Sequence, residues 1–223
     1  MKNQKATANR QKILIVDDHE AVLNGTVSAI QQQYPEAEII TAQTAQAAQQ
    51  HVESNSFSIV ITDLSIPEKA GDSARTETGI QLLRELMQKH PTLNIVVQSA
   101  YAKALVRLKP SINAHQGGFT IADKSLPLKE MLTKVDWAFQ GLVYTPREMR
   151  TRLELKPEWL EVLKLAFEAG LQDKAIAEQM NVAERTVRHY WTQVQDALSV
   201  YPETGKNIRI QTEMRAREEG LID

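Results

Sequence analysis

Hydrophobic residues in the first part of the chain alternate between two patterns. Apolar runs of strand length are each followed by a segment in which apolar residues recur at helical spacing. The predicted strands are residues 13–16, 38–41, 57–62, 93–98 and 119–123. Two of them, 13–16 and 57–62, are almost continuous apolar blocks, as expected for parallel strands buried on both faces. The alternation predicts an α/β domain over residues 11–142 with a doubly wound, five-stranded parallel sheet.

The pattern changes after the fifth βα unit. Residues 143–156 form a polar segment that we predict to be a linker, and only helical spacing continues through residues 157–222. Asp173 begins a short helix, Asn181 interrupts it, and a longer helix with a core-facing stripe follows. The stripe consists of Val187, Trp191, Val194 and Leu198. With a last helix over 208–221, the pattern predicts a small all-α domain that contains a helix-turn-helix.

Composition narrows the class of protein. The chain has 223 residues and no Cys, which excludes disulfides and thiolate zinc sites. No apolar stretch approaches the roughly 20 residues of a membrane-spanning helix, and the polar N-terminus lacks the apolar core of a secretory signal. These features predict a cytoplasmic protein without a membrane partner. The net charge is −2, and residues 146–223 contain 12 Lys and Arg against 14 Asp and Glu, so total charge does not indicate nucleic acid binding.

Four predicted strands end in side chains that can carry chemistry. In strand order these are Asp17 and Asp18, then Asp63, Ser99 and Lys124. The carboxyl ends of parallel strands share one edge of an open sheet, so these groups should form one polar site. Three neighbouring carboxylates repel one another unless a cation lies among them, and Mg²⁺ prefers oxygen ligands. One Asp after a strand is usually only a turn residue, but this ordered set predicts a magnesium site that can hold a phosphoryl group.

The order of these motifs resembles the receiver domain of two-component response regulators, which has a flavodoxin-like fold. The matching segments are Ile13-Leu14-Ile15-Val16-Asp17-Asp18-His19, Val60-Ile61-Thr62-Asp63-Leu64-Ser65-Ile66-Pro67, Ser99-Ala100 and Lys124. The resemblance implies that Asp63 accepts a phosphoryl group from a sensor histidine kinase. It also implies that Asp18 and Asp63 bind Mg²⁺, with Asp17 beside the ion and the backbone carbonyl of Ser65 as a further ligand. The residues that would contact the phosphoryl group are Ser99 and Lys124.

Three features depart from that family's usual pattern. Residues 68–78 contain an insertion of about eight residues beside the predicted site. Such a loop could gate the site, bind a partner or be a mobile decoration. Ile121 stands where an aromatic switch is usual, so Phe119 or Tyr101 would have to replace it. Ser125 follows the site lysine where the family usually has Pro.

The helical segment resembles the LuxR-type four-helix DNA-binding domain. Helical spacing places five side chains away from the core, where they could reach bases and phosphates: Glu184, Arg185, Arg188, His189 and Thr192. The resemblance adds Lys174 and Thr186 to the DNA-facing side. A receiver followed by this domain is a common pairing, which implies a transcription regulator that binds double-stranded DNA and forms a homodimer when active. Ala183 stands where a capping Ser usually begins the recognition helix, and loss of such a cap costs about 1 kcal/mol.

Two other functions are compatible with the sequence. The protein could act without phosphorylation, with residues 68–78 or the helical domain binding a protein partner, and the acidic balance of the C-terminal part favours this alternative. A Mg²⁺-dependent phosphohydrolase would use Asp63 as its nucleophile. Such an enzyme usually needs an acid two residues further on, where this chain has Ser65. We therefore expect a regulator and not an enzyme.

Overall fold

The computed structural model describes residues 10–100, 102–146 and 155–222. The strands are β1 (Lys12–Val16), β2 (Glu38–Ala42), β3 (Ile59–Thr62), β4 (Asn94–Ser99), β5 (Phe119–Asp123) and β6 (Val143–Tyr144). The α-helices are α1 (Glu20–Gln33), α2 (Ala45–Ser54), α3 (Thr76–Lys89), α4 (Lys109–Ala114), α5 (Leu128–Phe139), α6 (Pro157–Phe167), α7 (Asp173–Gln179), α8 (Glu184–Ala197) and α9 (Ile208–Glu218). A 3₁₀ helix, Ala102–Leu108, precedes α4.

The six strands of the described chain form one parallel sheet in the order β2-β1-β3-β4-β5-β6. The chain starts near the middle and builds outward in both directions, which confirms the predicted doubly wound α/β fold. The predicted number of five strands is wrong, because β6 pairs with β5 within the segment predicted as linker. A strand of two residues leaves no alternation in the sequence, so only its pairing partner defines it.

The central strands form the core of the sheet. All four residues of β3 are buried, as are all residues of β1 except Lys12. Helices that cover the two faces supply further buried side chains, among them Leu23, Ile30, Ile80, Leu83, Met131 and Val135. Burial on both faces is the reason that these strands appear as continuous apolar blocks in the sequence.

The chain divides into two compact units. The first comprises residues up to Ala102 together with Leu108–Pro146, and the second comprises Lys103–Arg107 together with the residues from 147 onward. The predicted boundaries of the helical domain and the linker remain predictions, since residues 147–154 lie outside the described part of the chain. No helix in the described ranges is long and apolar enough to cross a membrane.

The second unit contains the predicted helix-turn-helix. The stripe on α8 is buried as expected, and the core also includes Val162, Leu163, Ile176 and Ala216. Asn181 adopts φ 53°, a left-handed conformation that ends the α7 segment and turns the chain toward α8. Ala183 at the start of α8 makes no side-chain cap, as predicted. The last helix ends at Glu218, three residues before the predicted end, and Gly220 follows with φ 71°.

Candidate functional site

Parallel pairing brings two of the predicted carboxylates side by side. Val16 and Thr62 are partners in the β1–β3 register, so Asp17 and Asp63 follow neighbouring strands at the same level. The backbone N–H of Asp63 donates to the carbonyl of Val16 at 2.8 Å, which fixes the chain at this point. Asp17 and Asp63 are 3% and 5% exposed. Two nearly buried carboxylates therefore lie at the carboxyl edge of the sheet, as the sequence predicted.

Lys124 compensates the charge of this buried pair. Its Nζ lies 2.6 Å from Oδ2 of Asp17 and 2.8 Å from Oδ2 of Asp63. Burial alone would lower the pKa of the Lys124 ammonium, but hydrogen bonds to the two carboxylates and their negative charges outweigh burial and raise its pKa. The lysine therefore stays protonated, and one cation is shared between two acids.

Asp18 and His19 complete an acidic cluster with the same two carboxylates. One ligand atom from each of Asp17, Asp18, His19 and Asp63 lies within 4.8 Å of the others. Oδ1 of Asp18 is buried and accepts no hydrogen bond from any described residue, although Nδ1 of His19 is 3.0 Å away. A buried carboxylate oxygen without a donor fits a cation-binding group, because burying such an oxygen without a partner is costly. His19 occupies the position immediately before α1.

Ser99 and Ser65 lie near the ends of their strands. Ser99 is fully buried as the last residue of β4, and its carbonyl accepts from the backbone N–H of Lys124 at 3.4 Å. Ser65 is half-buried in the loop after β3. In the same loop, the N–H of Leu64 donates to Oδ1 of Asp63 at 2.6 Å. The catalytic and metal-binding roles of these residues remain predictions.

The predicted insertion is an anchored loop. Ile66 and Arg75 form an antiparallel bridge, and the N–H of Arg75 donates to the carbonyl of Ile66 at 3.1 Å. The carbonyls of Pro67 and Glu68 accept from the first N–H groups of α2 at 3.0 and 3.1 Å. Residues 68–75 are exposed, whereas the last three residues assigned to the insertion belong to α3. The base of the loop is thus tied to the domain and its outer part faces solvent.

Gly79 allows α3 to pack closely against the loop after Asp63, although the insertion lies between β3 and α3. A Cβ atom on Gly79 would lie 2.0 Å from the carbonyl oxygen of Leu64 and 2.7 Å from its Cα. Leu64 follows Asp63 directly, so the backbone of α3 packs against the backbone that carries the candidate phosphoacceptor. Only glycine permits this close approach.

The predicted DNA-facing side chains lie on α7 and on the first nine residues of α8. All are exposed except the half-buried Thr186; the exposed ones are Lys174, Glu184, Arg185, Arg188, His189 and Thr192. Nη2 of Arg188 donates to Glu184, one turn earlier. Thr192 donates its hydroxyl to the carbonyl of Arg188 at 3.3 Å. These side chains are available at the surface, and their role in DNA contact remains a prediction.

The structure locates one of the two aromatic switch candidates, and it contains one cluster that was not predicted from the sequence. Phe119, one of the two aromatic switch candidates, is fully buried at the first position of β5, and Tyr101, the other, lies outside the described residues. The carboxylate of Asp173 binds both Trp191 and Arg209. No pattern in the sequence indicates this cluster, because its three members lie on different helices.

The sheet order, with three carboxylates and a lysine gathered at its carboxyl edge, defines the class of protein as a receiver-type signalling domain. A family profile described as the response regulator receiver domain matches residues 13–136, more than half of the chain. The chain therefore belongs to the response regulator receiver family.

Similar proteins cover nearly the whole chain. It is 26% identical over 226 residues to the transcriptional regulatory protein YdfI of Bacillus subtilis (strain 168), which covers 95% of this chain and 97% of YdfI. It is 24% identical over 192 residues to the DNA-binding transcriptional activator DevR/DosR of Mycobacterium tuberculosis, which covers 80% of this chain and 84% of that protein. RcsB from Salmonella enterica serovar Typhimurium, solved bound to promoter rprA in the presence of the phosphomimetic BeF3⁻, has a TM-score of 0.56, 23% identity and coverage of 92% and 98%. This last likeness shows the fold.

Proposed function

We propose that this protein is a two-component response regulator that controls transcription. A sensor histidine kinase would transfer a phosphoryl group to Asp63 in the presence of Mg²⁺, and the modification would change how α7 and α8 bind DNA. The observation that carries this proposal is the nearly buried carboxylate of Asp63, which shares the Lys124 ammonium with Asp17 beside an acidic cluster. Two relatives that the chain matches over most of their length are named as transcriptional regulators. They support the proposed role in transcription.

The transfer is an in-line displacement by a side-chain oxygen of Asp63. This oxygen forms a bond to the phosphorus of a phosphohistidine, the P–N bond breaks, its electron pair returns to the imidazole, and an acyl phosphate remains. Once one Asp63 oxygen carries the phosphoryl group, the Lys124 ammonium can turn to a phosphoryl oxygen, and the Ser99 hydroxyl can donate to another. Mg²⁺, when bound, would neutralise charge on the phosphoryl oxygens. The groups that would hold it are the carboxylates of Asp17, Asp18 and Asp63 and the carbonyl of Ser65.

A small phosphodonor tests the phosphoacceptor assignment. We expect intact mass after incubation with acetyl phosphate and Mg²⁺ to show one labile phosphoryl group on the wild type and none on Asp63→Asn. Asp123→Asn is the matched control, because Asp123 is an exposed carboxylate at the end of β5. It should be labelled like the wild type. Equal labelling of the wild type and Asp63→Asn would contradict the assignment.

Binding of double-stranded DNA is proposed for the exposed start of α8. Arg185 and Arg188 lie in its first turns, where backbone N–H groups also favour a phosphate. The acidic balance of the C-terminal part makes the local arrangement decisive, since total charge does not attract DNA. We further propose that phosphorylation promotes a homodimer, which would present two copies of α8 to two half-sites.

Salt dependence tests the DNA interface. We expect fluorescence anisotropy to show that affinity for a labelled duplex falls as salt rises, and that acetyl phosphate increases the affinity. Arg185→Gln should weaken binding, because it removes a cation from the proposed interface. Arg215→Gln changes an arginine on α9 that pairs with Glu218 and should leave binding unchanged. Absence of any salt-sensitive affinity would refute DNA binding.

A protein-binding function is the second candidate, and the anchored loop at residues 68–75 is the observation that favours it. Its exposed residues lie close in sequence to Asp63, and its base is fixed by backbone hydrogen bonds. An enzymatic function is not proposed, because Ser65 occupies the position of the second acid that a phosphohydrolase would use. Repeated turnover of a generic phosphate ester by the wild type would contradict this.

A further inference from the structure

The start of α7, the middle of α8 and the start of α9 meet at one carboxylate. Nε1 of Trp191 donates to Oδ1 of Asp173 at 3.1 Å. Nη2 of Arg209 donates to both oxygens of Asp173, at 3.0 and 2.9 Å. The guanidinium carbon of Arg209 also lies 3.6 Å from the centre of the Trp191 ring. Arg209 therefore stacks on the indole and neutralises the acid that the indole contacts.

The cluster is only partly accessible to water. Trp191 is 3% exposed, and its ring meets that of Phe167 edge-on with centres 5.5 Å apart. The side chains of Arg209 and Asp173 are 36% and 27% exposed. Burial lowers the pKa of the Arg209 guanidinium, while the charge and hydrogen bonds of Asp173 act in the opposite direction. Removing Arg209 would leave a half-buried carboxylate without its cation, which would need another positive partner.

Arg188 on α8 is a candidate for that partner. It precedes Trp191 by three residues on α8, and side chains at this spacing are neighbours on a helix. Arg188 is already paired with Glu184 on its own helix. Its pKa is raised, mainly by the hydrogen bond to Glu184 and further by the charges of Glu184 and Asp173. Among the described residues, the carboxylates whose charge favours the protonated form of Arg188 are therefore Glu184 and Asp173. The carboxylate of Asp173 is already paired with Arg209.

We propose that Arg209 is a positioning residue for DNA binding. By occupying the carboxylate of Asp173, it prevents that carboxylate from capturing Arg188. To meet a phosphate, Arg188 then has to exchange its pairing with Glu184 but not a second pairing with Asp173. This inference rests on the proposed DNA-binding function, in which Arg188 is a phosphate contact. It assigns to α9 an influence on the recognition helix that acts through charge as well as packing.

Salt slopes test the proposal in the full-length protein. The slope is the change in the logarithm of affinity for a labelled mixed-sequence duplex with the logarithm of KCl concentration, and each lost phosphate contact reduces it by about 0.9. Because the proposed homodimer carries two copies of each residue, we expect Arg188→Gln and Arg209→Gln each to reduce the slope by about 0.9 per bound subunit, and the double variant to reduce it no further. Arg209→Gln combined with Asp173→Asn should restore the wild-type slope, because the competing carboxylate is gone. Arg215→Gln, on the same helix, is the control.

A purely structural role gives a different result. In that case Arg209→Gln would weaken binding at every salt concentration, equally with and without Arg188, and Asp173→Asn would not rescue it. An effect of Arg209→Gln that does not depend on Arg188 would overturn the proposal, and so would the absence of rescue by Asp173→Asn. A measurement without DNA separates this failure from failure of the proposed function. The Arg188 Nε–Hε nuclear magnetic resonance signal should shift in Arg209→Gln and return when Asp173→Asn is added; an unchanged signal refutes the capture whether or not the wild type binds DNA.

Discussion

Replacement of Gly79 by alanine should destabilise the first unit and disturb the loop that follows the candidate phosphoacceptor Asp63. The added Cβ would lie 2.0 Å from the Leu64 carbonyl oxygen. The Leu64 atoms that it would overlap are backbone atoms, and the Cβ position is fixed by the α3 backbone, so no side-chain rotation can relieve the overlap. Overpacking of this kind costs about 1–3 kcal/mol, and the rigid contact places the cost at the upper end. Alanine recovers about 1 kcal/mol of helix propensity. We therefore expect a net loss of about 2 kcal/mol, which is roughly a 30-fold change in the unfolding equilibrium.

Gly25→Ala is the matched control for this change. Gly25 lies exposed in the middle of α1, and a Cβ atom added to it would meet no neighbouring atom within 4 Å, so only the propensity gain of about 1 kcal/mol applies. The assay is urea unfolding by circular dichroism, with amide hydrogen exchange of the β3–α3 segment to assign the transition. Gly79→Ala should also be labelled more slowly by acetyl phosphate, because Leu64 is the neighbour of Asp63. A Gly79→Ala protein as stable as the wild type, beside a stabilised Gly25→Ala, would refute the reasoning.

Two further predictions concern buried bases of the first unit. Lys134 is 7% exposed, and its Nζ lies 3.8 and 3.6 Å from the ring centres of Trp137 and Tyr144. Lys134→Ala should therefore lower the free energy of unfolding by about 1–2 kcal/mol, measured by thermal unfolding. Lys134→Met should lower it less, because the methionine side chain still fills the space beside the two rings. Burial lowers the pKa of His115, an effect only partly offset by its hydrogen bond to the Leu93 carbonyl. The unfolded chain therefore takes up a proton at higher pH than the folded one. Stability should fall as pH decreases below about 6.5, by less than about 1.4 kcal/mol per pH unit, and His115→Gln should flatten this dependence in urea titrations.

The sequence was sufficient for the order of the main strands and for the position of the acids. Strands buried on both faces leave continuous apolar blocks, and parallel pairing brings their carboxyl ends to one edge, so Asp17 and Asp63 could be placed together from the sequence alone. The interruption at Asn181 and the buried stripe on α8 were also predictable, because both are set by nearby residues.

Features that depend on distant partners were not predictable. Strand β6 has two residues and is defined by its pairing with the edge of β5, so no local sequence pattern predicts it. The approach of Gly79 to Leu64 and the pairing of Arg209 with Asp173 join residues whose spacing carries no period. The sharing of Lys124 by two acids is likewise a matter of side-chain geometry, which the order of motifs does not contain.

The bridge between Ile66 and Arg75 has a practical consequence. It brings the two stems of the intervening loop together, so the chain leaves and re-enters the domain at almost the same place. A segment with adjoining ends can be shortened or exchanged without rerouting the rest of the fold. Residues 69–74 are therefore a suitable place to insert an epitope or a fluorescent reporter, close in sequence to the candidate phosphoacceptor Asp63. The backbone bonds from Pro67 and Glu68 to α2 would be kept.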